Sequence, residues 1–225
     1  MKKVFISRPL KSDSIFREEL EKAGFEVYGE SLLEFELVPF KEIPEVDWIF
    51  FYSQKGVQFF FNHIRDNFIF FSPEIRFAGF GKKTAQVIES YGLECDFVGT
   101  GKAASTTPKF IEVAKGQSVL FPRAKNSQRS VQQLIDNELI TTDLVIYKNF
   151  PKRNFDISKM DYLVFTSPLN AKVFFQKYKY EKGQKVFSIG ETTAKALNEL
   201  GIDEVHFPKK PSEKNLVKLL LQNQY

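Results

Sequence analysis

The sequence predicts an α/β fold made of two similar parallel-sheet domains, and three observations carry that expectation. Short apolar runs that stop at small polar residues alternate with helix-periodic segments along the whole chain, the pattern of parallel strands joined by crossover helices. The chain also repeats itself. Asp47-Trp-Ile-Phe-Phe-Tyr-Ser53 aligns with Asp161-Tyr-Leu-Val-Phe-Thr-Ser167, and Phe60-Phe61 falls on Phe174-Phe175 at the same offset. Gly81-Lys-Lys-Thr-Ala85 aligns with Gly190-Glu-Thr-Thr-Ala194, and Val4-Phe-Ile-Ser-Arg8 with Val119-Leu-Phe-Pro-Arg123. Finally, 225 residues with 43% hydrophobic content give each of two domains enough material for its own core.

In chain order, Lys3 to Ser7 reads as a strand, and Ser12 or Asp13 caps a helix that Gly24 ends near Ala23. Phe25 to Tyr28 starts the next strand, and Leu37 to Phe40 is an extended piece leading out of this unit. Asp47 to Ser53 is a strand followed by a helix with Val57, Phe60, Phe61 and Ile64 on one face. Ile75 to Phe80, Cys95 to Val98 and Ser118 to Phe121 read as strands, with helices at Lys82 to Tyr91, around Pro108 as a first-turn residue, and at Ser127 to Asn137. Leu144 to Tyr147 is extended. After Asp161 to Ser167 come a helix, a strand ending at Gly190, a helix, a strand from Val205 to Phe207 and a last helix from Ser212. The repeat alone leaves two connectivities open: a boundary near Gly116, or one domain split between the two ends of the chain.

Composition removes several function classes. The charge of +4 is spread along the chain with no basic block, which argues against nucleic acid and leaves a small anionic ligand open. One cysteine, Cys95, excludes an internal disulfide and a multi-cysteine metal site, and His63 and His206 have no metal-ligand spacing. No metal and no cofactor are expected. The start of the chain carries only a short apolar run after its lysines and no run reaches membrane-spanning length, so a cytoplasmic location is expected. The 25 phenylalanines fall mostly in the apolar runs and read as core.

In an open parallel sheet the ligand side lies where strands end and helices begin. That rim carries Ser7-Arg8, Ser53, Gly81, Arg123, Ser167, Gly190, Thr192 and Thr193. Hydroxyls, glycine amides and arginines suit carboxylates or phosphates; taken singly, each serine or threonine serves equally as a helix cap. Nucleotide motifs fail. Gly79-Phe-Gly81-Lys-Lys-Thr84 resembles a phosphate loop, but Arg76 stands where the first glycine belongs and Lys83 where a magnesium-binding hydroxyl belongs. No Gly-x-Ser-x-Gly elbow occurs. A non-catalytic two-lobed sensor of a small anion is the competing class.

Ile6-Ser-Arg-Pro9, Phe165-Thr-Ser-Pro168, Ile189-Gly-Glu-Thr-Thr-Ala194 and Pro211-Ser-Glu-Lys-Asn-Leu216 together resemble, in type, order and spacing, the uroporphyrinogen-III synthase family. The resemblance implies two α/β domains joined by a two-stranded linker, one domain being discontinuous: residues 1–36 with 153–225, a second domain at 42–143, and linker strands at 37–41 and 144–152. It implies a lyase that closes hydroxymethylbilane, a linear tetrapyrrole with eight carboxylates, into uroporphyrinogen III with inversion of the last ring and loss of water. Because the bilane also closes unaided without inversion, the task is largely one of orientation. Tyr147 matches the family's linker-strand tyrosine, which implies help to the leaving hydroxyl. Thr193 matches the second threonine after Ile-Gly and implies a substrate contact, with Ser167 next and Arg8, Ser53, Gly81, Arg123, Gly190 and Thr192 as further binding positions. Leu169 departs from the small polar residue frequent there, so the resemblance does not extend a side-chain contact to it. A monomer that meets hydroxymethylbilane synthase transiently is the expected partner arrangement.

Overall fold

The structure is a computed structural model that describes residues 1–157 and 159–223. The chain divides into two compact units, Met1–Glu34 with Phe150–Tyr225, and Phe35–Asn149. The first unit opens with β1 (Lys2–Ile6), α1 (Ile15–Lys22) and β2 (Phe25–Gly29). The chain passes through β3 (Leu33–Leu37) into β4 (Trp48–Phe51), α2 (Gln54–Asp66), β5 (Arg76–Gly79), α3 (Lys82–Glu89), β6 (Phe97–Val98), α4 (Ala103–Ala114), β7 (Ser118–Ala124) and β8 (Ile140–Pro151). It then supplies β9 (Tyr162–Phe165), α5 (Pro168–Lys177), β10 (Lys185–Ser188), α6 (Glu191–Asn198), β11 (Val205–His206) and α7 (Glu213–Gln222) to the first unit.

The first unit's sheet has the order β11-β10-β9-β1-β2, and each of these neighbouring pairs is parallel. The second unit's sheet runs β3-β8-β7-β4-β5-β6. Setting β9 on β4 and β1 on β7 superposes the two orders, with β3 as an extra edge strand. The second unit is therefore a circular permutation of the first: it enters the common sheet at the central strand, and the pair equivalent to β1 and β2 comes last. This arrangement accounts for the repeat, whose three matched segments occupy equal positions in the two sheets.

One contact recurs in both. Asp161, just ahead of β9, accepts the Lys3 amide at 2.7 Å while its own amide donates to the Lys3 carbonyl at 3.0 Å. Asp47, just ahead of β4, accepts the Ser118 amide at 2.8 Å and the Ser118 hydroxyl at 2.6 Å, and its amide donates to the Ser118 carbonyl at 3.1 Å. Each carboxylate clamps the first residues of two neighbouring strands from distant parts of the chain and so sets their register.

Each sheet is covered on both faces, as fully buried parallel strands require. Along β1, Val4 and Ile6 pack with Phe16, Leu20 and Leu216, whereas Phe5 points the other way into Phe165 and Phe174. The second sheet packs Phe51 against Phe60 and Phe61 on one face and Phe50 against Phe110 and Phe121 on the other. The phenylalanine excess is core, as the sequence indicates.

Several local expectations are corrected. The first helix is capped by Ser14, whose hydroxyl accepts from the Arg17 amide, and not by Ser12 or Asp13. Extended structure at Leu37 to Phe40 lies earlier, in β3, with only the Val38 amide continuing the ladder to the Ile146 carbonyl. The strand expected at Cys95 to Val98 shrinks to Phe97–Val98. Pro108 sits inside α4, because Thr100, Ser105 and Thr106 hydroxyls organise an earlier start after Lys102. The helix expected at Ser127 to Asn137 does not form: left-handed backbone at Arg129 (φ 51°) and Asp136 (φ 51°) leaves one 3-10 turn at Gln132–Leu134. The periodicity behind that expectation is real, since Val131, Ile135 and Leu139 are all buried, but turns deliver it.

Asn170 ties the first unit's loop after β2 to α5. Its buried Oδ1 accepts the Leu32 amide at 2.8 Å and its Nδ2 donates to Ser167 Oγ at 2.9 Å. Asn170→Ala leaves the Leu32 amide without its acceptor and is expected to cost about 1–3 kcal/mol, read as a lowered thermal midpoint by circular dichroism. An unchanged midpoint contradicts this.

Candidate active site

Ligands of open α/β sheets bind where the strand order reverses, outside the carboxyl ends. In the first unit that point lies between β1 and β9, in the second between β7 and β4. The sequence-derived candidates fall at or next to these points.

In the first unit the reversal is knitted shut by hydroxyls. Ser7 Oγ accepts the Thr166 amide at 2.8 Å, and Thr166 Oγ1 donates to the Ser7 carbonyl at 3.1 Å. Ser167 caps α5, accepting from the Asn170 amide at 3.3 Å. Arg8 is ion-paired with Glu213 in the first turn of α7, so its charge is balanced within the unit. One strand over, Gly190 precedes α6 without a side-chain cap, which leaves the first amides of the helix free of a side-chain acceptor. A Cβ at Gly190 would stand 3.2 Å from Pro211 Cγ, a tight fit that favours glycine. Thr192 is exposed. Thr193 is 3% exposed, and its hydroxyl has no hydrogen-bond partner among the described residues.

The second unit repeats this pattern with one addition. Ser53 caps α2, its Oγ accepting from the Gly56 amide at 3.1 Å, and Gly81 precedes α3 with no side-chain cap. Thr84 stands where Thr193 stands in the other unit: 6% exposed, with a hydroxyl unpartnered among the described residues. The amides of Thr84 and Thr193 donate to the Gly81 and Gly190 carbonyls at 2.9 and 3.1 Å. Each uncapped helix start with its threonine offers amide and hydroxyl donors to an anion. The addition is Tyr147 on β8. Its hydroxyl lies 3.4 Å from Ser53 Oγ, and its ring stacks on Phe59 at 5.0 Å and leans against Phe35. Burial pushes the phenol up from its ordinary value and outweighs the opposing hydrogen bond from Ser53, so Tyr147 carries its proton at neutral pH.

Arg123 is committed to structure. Its Nε and Nη2 donate to the two oxygens of Asp143 at 2.7 and 2.8 Å, and Nη1 donates to the Ala124 carbonyl at 3.0 Å. Arg129 and Gln132 also donate to Asp143.

Among the described residues no group of three or more His, Cys, Asp or Glu could hold a metal ion, and no described helix is long and apolar enough to cross a membrane. His63 holds the Phe40 backbone and Asn67, and the Cys95 thiol, raised by burial, donates to the Phe97 carbonyl. Sequence reasoning named Ser53 and Tyr147 separately, without foreseeing their contact, and missed Thr84. The signal for Thr84 was present, since the match of Gly81 with Gly190 carries Thr84 onto Thr193.

Comparison with known proteins adds the decisive observation: the family model described as uroporphyrinogen-III synthase HemD matches residues 14–218. The chain belongs to the uroporphyrinogen-III synthase family. Uroporphyrinogen-III synthase from Chlorobaculum parvum is 30% identical over 227 residues, covering 90% of this chain and 91% of that protein. The fold resembles uroporphyrinogen-III synthetase from Helicobacter pylori, at a TM-score of 0.77 and 20% identity over 99% of this chain and 100% of the other. It also resembles a mutant uroporphyrinogen III synthase from Thermus thermophilus, at a TM-score of 0.62 and 16% identity over 100% and 98% of the two chains. The family comprises cyclising lyases of tetrapyrrole biosynthesis acting on a small molecule, and membership displaces the non-catalytic sensor.

The Asp143 cluster beneath the second reversal point makes a pH prediction for this family member. Burial alone would raise the Asp143 carboxyl, but hydrogen bonds from Arg123 and Gln132 and the charges of Arg123 and Arg129 hold it below its ordinary 3.8. A depressed folded-state value stabilises above the unfolded value, and that stabilisation is lost as pH falls through the folded one. Wild type should therefore be more stable than Asp143→Asn at pH 7, with the gap closing as pH drops below about 4. Urea unfolding at a series of pH values measures it; a pH-independent gap contradicts the assignment.

Proposed function

We propose that this chain cyclises hydroxymethylbilane to uroporphyrinogen III, inverting the last pyrrole ring and expelling water, with Tyr147 as the proton donor. The observation that carries the role of Tyr147 is its protonated hydroxyl beside Ser53 Oγ at the reversal point of the second sheet. The substrate's hydroxyl is a poor leaving group. Its C–O bond breaks as a proton arrives from Tyr147, and water departs, leaving a cationic azafulvene conjugated with the pyrrole. The substituted carbon of the last ring then attacks, and rearrangement followed by loss of a proton restores the aromatic pyrrole and reprotonates the phenolate. No external oxidant or reductant enters.

The binding groups we assign are Thr193 and Thr84 with the uncapped starts at Gly190 and Gly81, which offer donors to the substrate's carboxylates. Ser167 and Ser53 border the same rims, and Thr192 is exposed next to Thr193. Arg8 and Arg123, paired with Glu213 and Asp143, act as braces of the rims. We further place residues 1–36 with 153–225 in one domain and 42–143 in the other, with 37–41 and 144–152 linking them. The protein works as a cytoplasmic monomer that receives the bilane from hydroxymethylbilane synthase in a transient contact; a single cysteine suits a reducing compartment.

Incubation with freshly generated hydroxymethylbilane, oxidation and separation of the porphyrin isomers tests the activity. The type III isomer is expected, and formation of type I alone overturns the reading. Tyr147→Phe should lower turnover by about a hundredfold or more while moving the thermal midpoint little, because the hydroxyl makes one long hydrogen bond. Wild-type turnover in that variant removes Tyr147 from the chemistry.

A further inference from the structure

Lys55 is the second residue of α2, two positions after the cap Ser53. Its Nζ lies 3.7 Å from the centroid of the Phe35 ring, and it has no acidic partner among the described residues. Other half-buried cations near the strand ends are neutralised: Arg8 by Glu213, Arg123 by Asp143 and Lys152 by Glu30. Two further features oppose a cation at this place. The first turn of α2 holds no acidic residue, so the ammonium stands at the positive end of the helix dipole uncompensated. Burial also disfavours the charged form and lowers the amine from its ordinary value. Only the aromatic face of Phe35 favours the charge.

The same Phe35 ring leans against Tyr147 at 6.3 Å, and Ser53 both caps the helix of Lys55 and contacts the Tyr147 hydroxyl. Lys55 and Tyr147 thus share the Phe35 ring, and Ser53 links the start of the lysine's helix to the Tyr147 hydroxyl. An unneutralised ammonium here would repel the cationic azafulvene that forms when the hydroxyl leaves. A carboxylate delivered on the reacting ring removes that repulsion and satisfies the lysine together.

We propose that Lys55 binds a carboxylate of the hydroxymethyl-bearing ring and thereby sets that ring against Tyr147. This rests on the synthase reading. The pairing is absent without substrate and forms on binding, so the lysine selects for the acidic side chain on the ring that must lose its hydroxyl. Lys55 is a binding residue; the proton still comes from Tyr147.

Lys55→Met, Lys55→Gln and Lys55→Arg in the full chain test it. Two quantities are read: steady-state turnover of hydroxymethylbilane, and equilibrium binding of uroporphyrin III by quenching of intrinsic fluorescence. The Met and Gln variants should raise KM and the uroporphyrin Kd about tenfold or more, as loss of one charge-assisted contact does. Their thermal midpoints should match wild type, and Arg should restore binding to within a few fold. Wild-type KM and Kd in Met and Gln overturn the proposal, as does weakened binding that Arg fails to restore. Failure of the synthase reading looks different: the unaltered protein then yields only the type I isomer.

Discussion

A carboxylate at the head of each central strand fixes the register on which both halves of this protein depend. Asp161 clamps β9 to β1 and Asp47 clamps β4 to β7, in each case joining segments far apart in sequence. Both aspartates are exposed, so their contribution to stability is small. Their importance is geometric. A one-residue slip in either pair would exchange the two faces of a strand and move Ser7 away from Thr166, or Ser53 away from Tyr147. The Ser118 hydroxyl and amide hold the Asp47 carboxyl below its ordinary value, which keeps the clamp ionised well into the acid range.

The second sheet's rim brings a protonated phenol and a serine hydroxyl together. Tyr147 stays protonated because it is buried between Phe59 and Phe35, and Ser53 lies within reach of its hydroxyl. Arg8 and Arg123 near the strand ends are balanced by their own acids, Lys55 has no acidic partner among the described residues, and the uncapped starts of α3 and α6 add amide donors. Such donors are fixed by helix starts and need little reorganisation when charge develops. A flexible substrate with many carboxylates suits a rim of many modest contacts better than one strong site.

Much of this was legible in the sequence because it is local. Ser53, Ser167 and Ser212 cap helices where a small hydroxyl precedes an apolar-periodic run, and Gly24 takes the left-handed backbone expected of a helix terminator. The repeat was legible too, since equal positions in the two sheets carry equal demands. What escaped depends on distant partners. Arg123 read as a ligand-facing cation because Asp143 lies 20 residues away and reaches it only through the parallel pairing of β7 with β8. The segment from Ser127 to Asn137 had helical periodicity, but Gln132 is held by the Tyr52 hydroxyl and Asp143, and those contacts favour turns. Tyr52, half-buried with its phenol pushed up to about 12 by desolvation, anchors that loop as a neutral hydrogen-bonding group. Lys55 shows the converse, since an absent partner is invisible until the fold reveals what surrounds the side chain.

The permuted order of the second sheet bears on how the chain is made. On a ribosome, the second unit has every strand of its sheet once Pro151 has emerged. At that moment the first unit has only β1 and β2, because β9, the neighbour of β1, and β10 and β11 beyond it are still to be synthesised. β1 therefore waits with one hydrogen-bonding edge unpaired while the inserted unit closes. Lys2 and Lys3 at the start of β1 give that waiting edge a positive charge, a device that discourages pairing with the wrong strand before Asp161 arrives to fix the right one.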